Sequence, residues 1–261
     1  MSAPRTVVVV TMPRSGSSLL AGVLHRLGVS MGNDADLAKG GHLNRYGCYE
    51  DQEFQHISLN ILLDAGLLLD LESRLDIDEG RLAEAVRRAG PALRKFVDRR
   101  AVGTWGFKDP GLAYPLPHLA HHLPDPVYVH LHRDDEAAGR SLYRTYRPSF
   151  WIPELRAKLP LLRVDNRLRL LPRALSLRIR RSRSYHDVAF FTRVIRSGHE
   201  RIETFLDGRT HLRVELTDLV GSPRQTIARL AEFTEVAPGP AEMDAAEAFV
   251  HPELLRSGAR G

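Results

Sequence analysis

Cysteine is almost missing from this chain: Cys48 is the single one among 261 residues. An intrachain disulfide and a thiolate zinc site are both excluded, and a reducing compartment is the expected setting. Membrane-length apolar runs are missing as well. Val7 to Val10 is a short run, and no later segment reaches the ~18 uninterrupted apolar residues of a spanning helix. The stretch from Met1 to Arg5 lacks the basic-then-apolar layout of an export signal. The cytoplasm is therefore the expected location, without stable membrane insertion. A large charge excess is also lacking. The net charge of +5 is mild and is compatible with a polyanionic ligand, an acidic acceptor or merely a basic surface.

What is present is an ordinary globular balance of 43% hydrophobic and 26% charged residues, enough to bury a core. The length fits one α/β domain spanning residues 1–261. Thr6 to Thr11 is β-branched and apolar throughout, and the loop Met12-Pro-Arg-Ser-Gly16 follows. A helical pattern then runs through Leu19, Leu20, Val23, Leu24 and Leu27. An apolar strand without alternation is buried on both faces, as in a parallel sheet covered by helices. Further helices are expected at 51–69 and 79–99, strands at 101–107 and 127–131, and a helix at 134–146. Beyond them the pattern predicts a helix at 185–206, a strand at 210–216 and helices at 223–233 and 240–249. Ser222 stands as the expected N-cap of the 223–233 helix, ahead of proline. Strands alternating with crossover segments imply parallel pairing. Residues 148–184 show little periodicity and are read as a lid or insertion.

The first loop carries chemistry. Arg14-Ser15-Gly16-Ser17-Ser18, between a strand and a helix, gathers backbone N–H groups, hydroxyls and the positive helix end around one concavity. That arrangement suits a phosphate or a sulfate. An ordinary strand-to-helix turn with exposed serines has the same local pattern, so other motifs must arbitrate. The Walker pattern, two glycines four residues apart followed by Lys-Ser or Lys-Thr, is absent.

Met12-Pro-Arg-Ser-Gly-Ser-Ser-Leu19 resembles the 5′-phosphosulfate loop of sulfotransferases that use 3′-phosphoadenosine-5′-phosphosulfate (PAPS). His132-Arg133-Asp134 with Ser141, eight residues after Arg133, is similar to that family's site for the cofactor's 3′-phosphate. Gly106-Phe-Lys-Asp-Pro110 resembles the Lys-Asp-Pro of bacterial and tyrosylprotein sulfotransferases. Gly47-Cys-Tyr-Glu50-Asp51 resembles the Gly-aromatic-Glu-Asp or Gly-aromatic-Glu-Asn segment of the bacterial relatives. The resemblance implies a three-layer sulfotransferase fold, P-loop-like, with a parallel sheet flanked by helices. It also implies a sulfuryl transfer from PAPS to a hydroxyl of a small-molecule or glycan acceptor, releasing adenosine 3′,5′-bisphosphate without a metal. By the same resemblance Glu50 is the base, and Lys108 with Arg14 balances charge. Ser15, Gly16, Ser17, Ser18, Arg133 and Ser141 join Arg14 in holding the donor. Asp109 either orients Lys108 or caps the turn before Pro110. Asp51 is expected to cap the next helix, and a capping or charge role is the alternative for Glu50. The chain departs from the steroid and phenol sulfotransferases, which have lysine in place of Arg14, a histidine base and a carboxyl-terminal Arg-Lys-Gly motif.

Other features weigh less. His130 and His132 alternate along a strand and share a face, but no carboxylate pattern points there and no metal site is expected. The stretch 163–183 holds eight arginines. It reads as a solvated basic helix, a lid meeting anions, or a surface for nucleic acid or anionic membrane; the shortage of aromatic neighbours argues against a stacking platform for single strands. A non-catalytic binder of nucleic acid and a P-loop kinase are the competing classes. The first leaves Glu50 and Lys108 idle, and the second lacks its lysine; no nucleic-acid partner is expected. Oligomeric state leaves no mark on the sequence.

Overall fold

The computed structural model describes residues 4–32, 37, 49–68, 70–146, 159–168, 170 and 183–250. Strands β1 (Arg5–Val10), β2 (Thr104–Lys108), β3 (Pro126–His132) and β4 (His211–Glu215) form one sheet in the order β2-β1-β3-β4. Every pairing is parallel, with Val9 opposite Lys108 on one side and Val129 on the other.

The helices are α1 (Ser17–Arg26), α2 (Gln52–Asp64), α3 (Glu79–Arg100), the short α4 (Leu116–Leu119) and α5 (Asp135–Thr145). After them come α6 (Val188–Leu206), α7 (Leu216–Gly221), α8 (Pro223–Thr234) and α9 (Pro240–Phe249). Alternate residues of β1 serve two separate cores. Val7 and Val9 pack with Leu20 and Leu24 of α1, Ile227 of α8 and Phe249 of α9. Val8 and Val10 pack on the opposite face with Phe54 of α2, Phe96 of α3 and Ile195 of α6. The unbroken valine run is thus explained, because both faces of the central strand are covered and neither tolerates a polar side chain. The result is a three-layer α/β/α sandwich.

The expected elements are found with small shifts at their ends. The strand expected at 101–107 begins at Thr104, because Gly103 has φ +59 and turns the chain before pairing starts. The helix expected to reach residue 69 stops at Asp64, and Gly66 has φ +87. The helix expected from 185 is a single 3-10 turn at Arg183–His186, and the α-helix begins at Val188 under an Asp187 cap. Ser222 stands at the N-cap of α8 with proline next, yet its side chain makes no capping hydrogen bond.

Of the segment read as a lid or insertion, the described part is anchored to α2. Asn60 Oδ1 accepts from Arg163 N (3.0 Å), and Arg163 Nη2 donates to Asp64 Oδ2 (2.7 Å). Arg167 donates to the carbonyls of Leu162 and Pro160. These two arginines hold chain to chain; Arg169, Arg173, Arg178, Arg180 and Arg181 lie outside the described residues, and so does Cys48. No helix among the described residues is long and apolar enough to cross a membrane.

Candidate active site

A strand order that steps from β1 to one side and then back across to β3 leaves a crevice at the carboxyl ends of the strands, where α/β sheets bind ligands. The described residues of each motif resembling the sulfotransferases sit at that edge, while Gly47 and Cys48 lie outside the described residues. The loop after β1 turns on Gly16, the N-cap of α1, with φ +87. The backbone there favours glycine, and a Cβ would also lie 2.8 Å from Leu216 Cδ1, so that side chain would have to shift. The first turn of α1 carries no acidic residue and its cap no side-chain hydrogen bond, which leaves the positive helix end open toward the crevice. Ser15 is fully buried, and its Oγ has no hydrogen-bond partner among the described residues. Ser17 is buried at the start of the helix.

Arg14 itself has φ +70, the left-handed region that a non-glycine residue adopts only when its surroundings hold it. The holding contact is Arg133 Nη1, which donates to the Arg14 carbonyl at 2.7 Å. In turn Arg14 Nε donates to Ser141 Oγ at 3.2 Å. The two halves of the supposed donor site therefore touch, across 119 and 127 residues of chain. Burial and the nearby charges of Arg133 and Arg144 hold the Arg14 guanidinium below its usual value. Burial and Arg144 act on Arg133 in the same direction. Among the described residues none of these three arginines forms an ion pair. Like charges grouped in this way repel one another, and a bound anion would relieve that repulsion. Arg144 was missed in the sequence; its spacing of three from Ser141 on one helix is the signal that would have found it.

The second group lies at the end of β2. Lys108 is 2% exposed, and its Nζ donates to Glu50 Oε1 (2.6 Å) and Ser18 Oγ (3.3 Å). Glu50 is held from three directions. Before it, Tyr49 (φ +50) packs its ring against His25 and Phe249, and its hydroxyl accepts from Arg26. After it, Asp51 caps α2 by accepting from Glu53 N and Phe54 N, as expected. Beside it, Gln55 Nε2 donates to Glu50 Oε2 at 2.8 Å. Glu50 is thus not the helix cap; its carboxylate faces Lys108. Gln55 was another omission, since nothing in the sequence marks one polar residue of a helix's first turn over another.

Asp109 takes the blander of its two roles. Its Oδ1 accepts from Gly111 N (2.6 Å) and Ser58 Oγ (3.2 Å), closing the turn, and it makes no hydrogen bond to Lys108. Burial, and then the charge of Glu50, raise its carboxyl to about 6. A carboxyl raised from 3.8 in this way binds its proton more tightly folded than unfolded. The contribution of this group to stability is therefore fully present below pH ~4 and is lost, on the order of 3 kcal/mol, as pH rises through 6. Asp109→Asn keeps the acceptor oxygen and removes the ionisation. Its melting temperature relative to the parent should rise between pH 4 and 7; parallel pH profiles of the two proteins would refute the assignment.

The histidine pair stands differently from its expectation. Carboxylates do converge there: His132 Nδ1 lies 2.7 Å from Glu215 Oε2, and His199 Nδ1 lies 2.7 Å from Asp135 Oδ1. Glu215 arrives because it is the register partner of His132 on β4, and His199 because α6 packs over α5.

A model of a family described as the sulfotransferase family matches residues 4–238. The chain belongs to the sulfotransferase family. In fold, this sulfotransferase is similar to sulfotransferase STF9 from Mycobacterium avium, at 17% identity and a TM-score of 0.51, with 95% of this chain and 68% of that one covered. The sulfotransferase domain from the curacin biosynthetic pathway aligns at 17% identity over 93% of this chain and 77% of that one, with a TM-score of 0.49. The sulfotransferase domain of the Synechococcus PCC 7002 olefin synthase aligns at 17% identity over 100% and 79%, with a TM-score of 0.48. No curated protein matches the sequence. The three-layer sheet and helices agree with the fold expected of a sulfotransferase.

Proposed function

We propose that this sulfotransferase, acting as one domain over residues 1–261, moves a sulfuryl group from PAPS to a hydroxyl of a small-molecule or glycan acceptor. One observation carries the reading. The loop Arg14–Ser18 contacts at one end, through Arg14, a group of cations that form no ion pair among the described residues, and at the other, through Ser18, a partly buried Lys108–Glu50 pair.

The residues present fit the donor. The unpartnered Ser15 Oγ, the open end of α1 and the left-handed turn at Gly16 offer a cradle for its 5′-phosphosulfate, with Ser17 and Ser18 on the helix's first turn. Arg133 and Ser141, reinforced by Arg144, suit a doubly charged 3′-phosphate. When bound, PAPS supplies an activated sulfuryl group on a phosphate leaving group. The protein's task is then to position and to balance charge, because such transfers run through loose in-line transition states. Arg14 and Lys108 face charge that grows on the bridging oxygen. Glu50 takes the acceptor proton, and Gln55 and Lys108 aim its two oxygens beforehand. None of these steps calls on a metal.

Calorimetric titration with adenosine 3′,5′-bisphosphate, adenosine 5′-monophosphate and ATP without metal tests the reading. Binding that requires the 3′-phosphate is the expected result. Equal affinity for the monophosphate, or no binding at all, would end the PAPS reading.

A further inference from the structure

Tyr49, the residue before Glu50, has φ +50. For a bulky side chain that left-handed backbone is strained, and it persists only where the surroundings enforce it. The enforcing group comes from both ends of the described chain. The Tyr49 ring lies 6.1 Å from that of Phe249, edge to face, and 5.8 Å from that of His25. Arg26 Nη1 donates to Tyr49 Oη at 3.0 Å and to the Gly22 carbonyl at 2.9 Å, and its guanidinium carbon lies 3.7 Å over the Phe249 ring. His25 and Arg26 form the last turn of α1, and Phe249 is the last residue of α9. Gly22 leaves room for the two rings: a Cβ there would overlap Phe249 and lie 3.0 Å from Tyr49 Cε2.

Peptide planes are rigid, so the dihedrals of Glu50 and its two neighbours decide where its side chain leaves the backbone. The following neighbour is fixed: Asp51 is 2% exposed, caps α2 and lies 3.4 Å from Arg100 Nε. The preceding one is fixed by the clamp on Tyr49. With this turn the Glu50 carboxylate reaches Lys108 Nζ at 2.6 Å and Gln55 Nε2 at 2.8 Å. A Tyr49 relaxed to negative φ would redirect the chain entering Glu50 and take the carboxylate away from both. Glycine would adopt this φ without strain but would not hold it, since it takes negative φ about as readily.

We propose that Tyr49 is a positioning residue for the base: clamped between the last turns of α1 and α9, it holds the left-handed turn that aims Glu50. Helix α1 thereby serves both halves of the reaction, with the serines of the donor loop at its first turn and the clamp at its last. Phe249 governs turnover from a distance, through the Tyr49 ring. The inference rests on the reading of Glu50 as the base, but its geometric part, that the clamp sets the contact between Glu50 and Lys108, holds whatever the donor is.

The test has two arms on the full chain. Crystal structures of Tyr49→Ala and Phe249→Ala report the geometry, and release of adenosine 3′,5′-bisphosphate from PAPS, with 4-nitrophenol and N-acetylglucosamine as acceptor probes, reports turnover. In both variants the Glu50 carboxylate should leave hydrogen-bond reach of Lys108, and kcat should fall by about tenfold to a hundredfold, the effect of misplacing a reacting group by about 1 Å. The KM for PAPS and the affinity for the bisphosphate should stay within about twofold, a split that a general loss of structure would not give. Tyr49→Phe, which keeps the ring and loses one hydrogen bond, should hold kcat within about threefold. Tyr49→Gly should turn over faster than Tyr49→Ala, because glycine still visits the turn. Asp244→Asn, at an exposed ion pair of α9, should alter neither arm. If Phe249→Ala does not fold, Phe249→Leu replaces it. An unchanged contact between Glu50 and Lys108 in Tyr49→Ala, or parent-like kcat in both alanine variants, overturns the proposal. Should the parent sulfate neither probe, the crystal structures decide, and the PAPS reading is judged by its own titration.

Discussion

Glu50→Gln should lower turnover by about 10²–10⁴-fold, the range for removal of a positioned general base, while binding of adenosine 3′,5′-bisphosphate is retained or strengthened. The direction of the second effect follows from the ion pair. The introduced amide would still accept from Lys108 and bond Gln55, so the local geometry survives, but Lys108 loses its counter-charge. A buried ammonium without a partner is destabilising, and an anion in the adjacent loop is then its best remaining partner. The unliganded variant should therefore melt below the parent and recover more on adding the bisphosphate. Turnover within about threefold of the parent would mean that the base lies elsewhere. Loss of turnover together with loss of bisphosphate binding would instead make Glu50 part of the donor site.

Arg133→Ala should weaken bisphosphate binding by about 10–150-fold, which corresponds to losing ~1.5–3 kcal/mol of charged hydrogen bonding. The upper part of that range is expected because Arg133 does two things. It supplies charge beside Ser141, and it holds the carbonyl of Arg14 while that residue sits at φ +70. The two roles separate with the monophosphate. If Arg133 acts on the 3′-phosphate, the loss is large for the bisphosphate and small for adenosine 5′-monophosphate; equal losses for both would assign Arg133 to shaping the loop alone. Arg133→Lys should recover part of the affinity, since a point charge remains but the planar fork does not. Ser141→Ala should cost far less, about fivefold, because it removes one neutral acceptor.

The helix expected at 79–99 and the one found at Glu79–Arg100 differ by a single residue, although Pro91 lies inside it. Apolar spacing through Leu82, Val86, Leu93 and Phe96 decides that segment more strongly than one missing N–H. At 51–69 periodicity alone was misleading, because Leu67, Leu68 and Leu71 pack without continuing the helix. The residues of the loop and strand-end motifs stood out in the sequence for the same reason as the strands. Each belongs to a short run whose backbone is set by its neighbours, such as Gly16 at the end of β1 or Asp51 ahead of α2.

The amino-acid sequence by itself determined the α/β class, the doubly buried first strand, the strand-to-helix loop at Arg14–Ser18 and the segments that carry Glu50, Lys108, Arg133 and Ser141. Those are local properties, written in periodicity, turn residues and caps that act over a few positions. Tertiary structure alone decided which of these segments meet. It set Arg133 under the carbonyl of Arg14, added Arg144 to the same cationic group, closed Lys108 onto Glu50 with Gln55 behind it, and gave Asp109 to the turn rather than to the lysine. It also brought His199 from α6 and Glu215 from β4 to a histidine pair that looked isolated. Such meetings depend on sheet order and helix docking across tens to more than a hundred residues, and no local pattern encodes them, because the burial and charge that stabilise them exist only once the layers have packed.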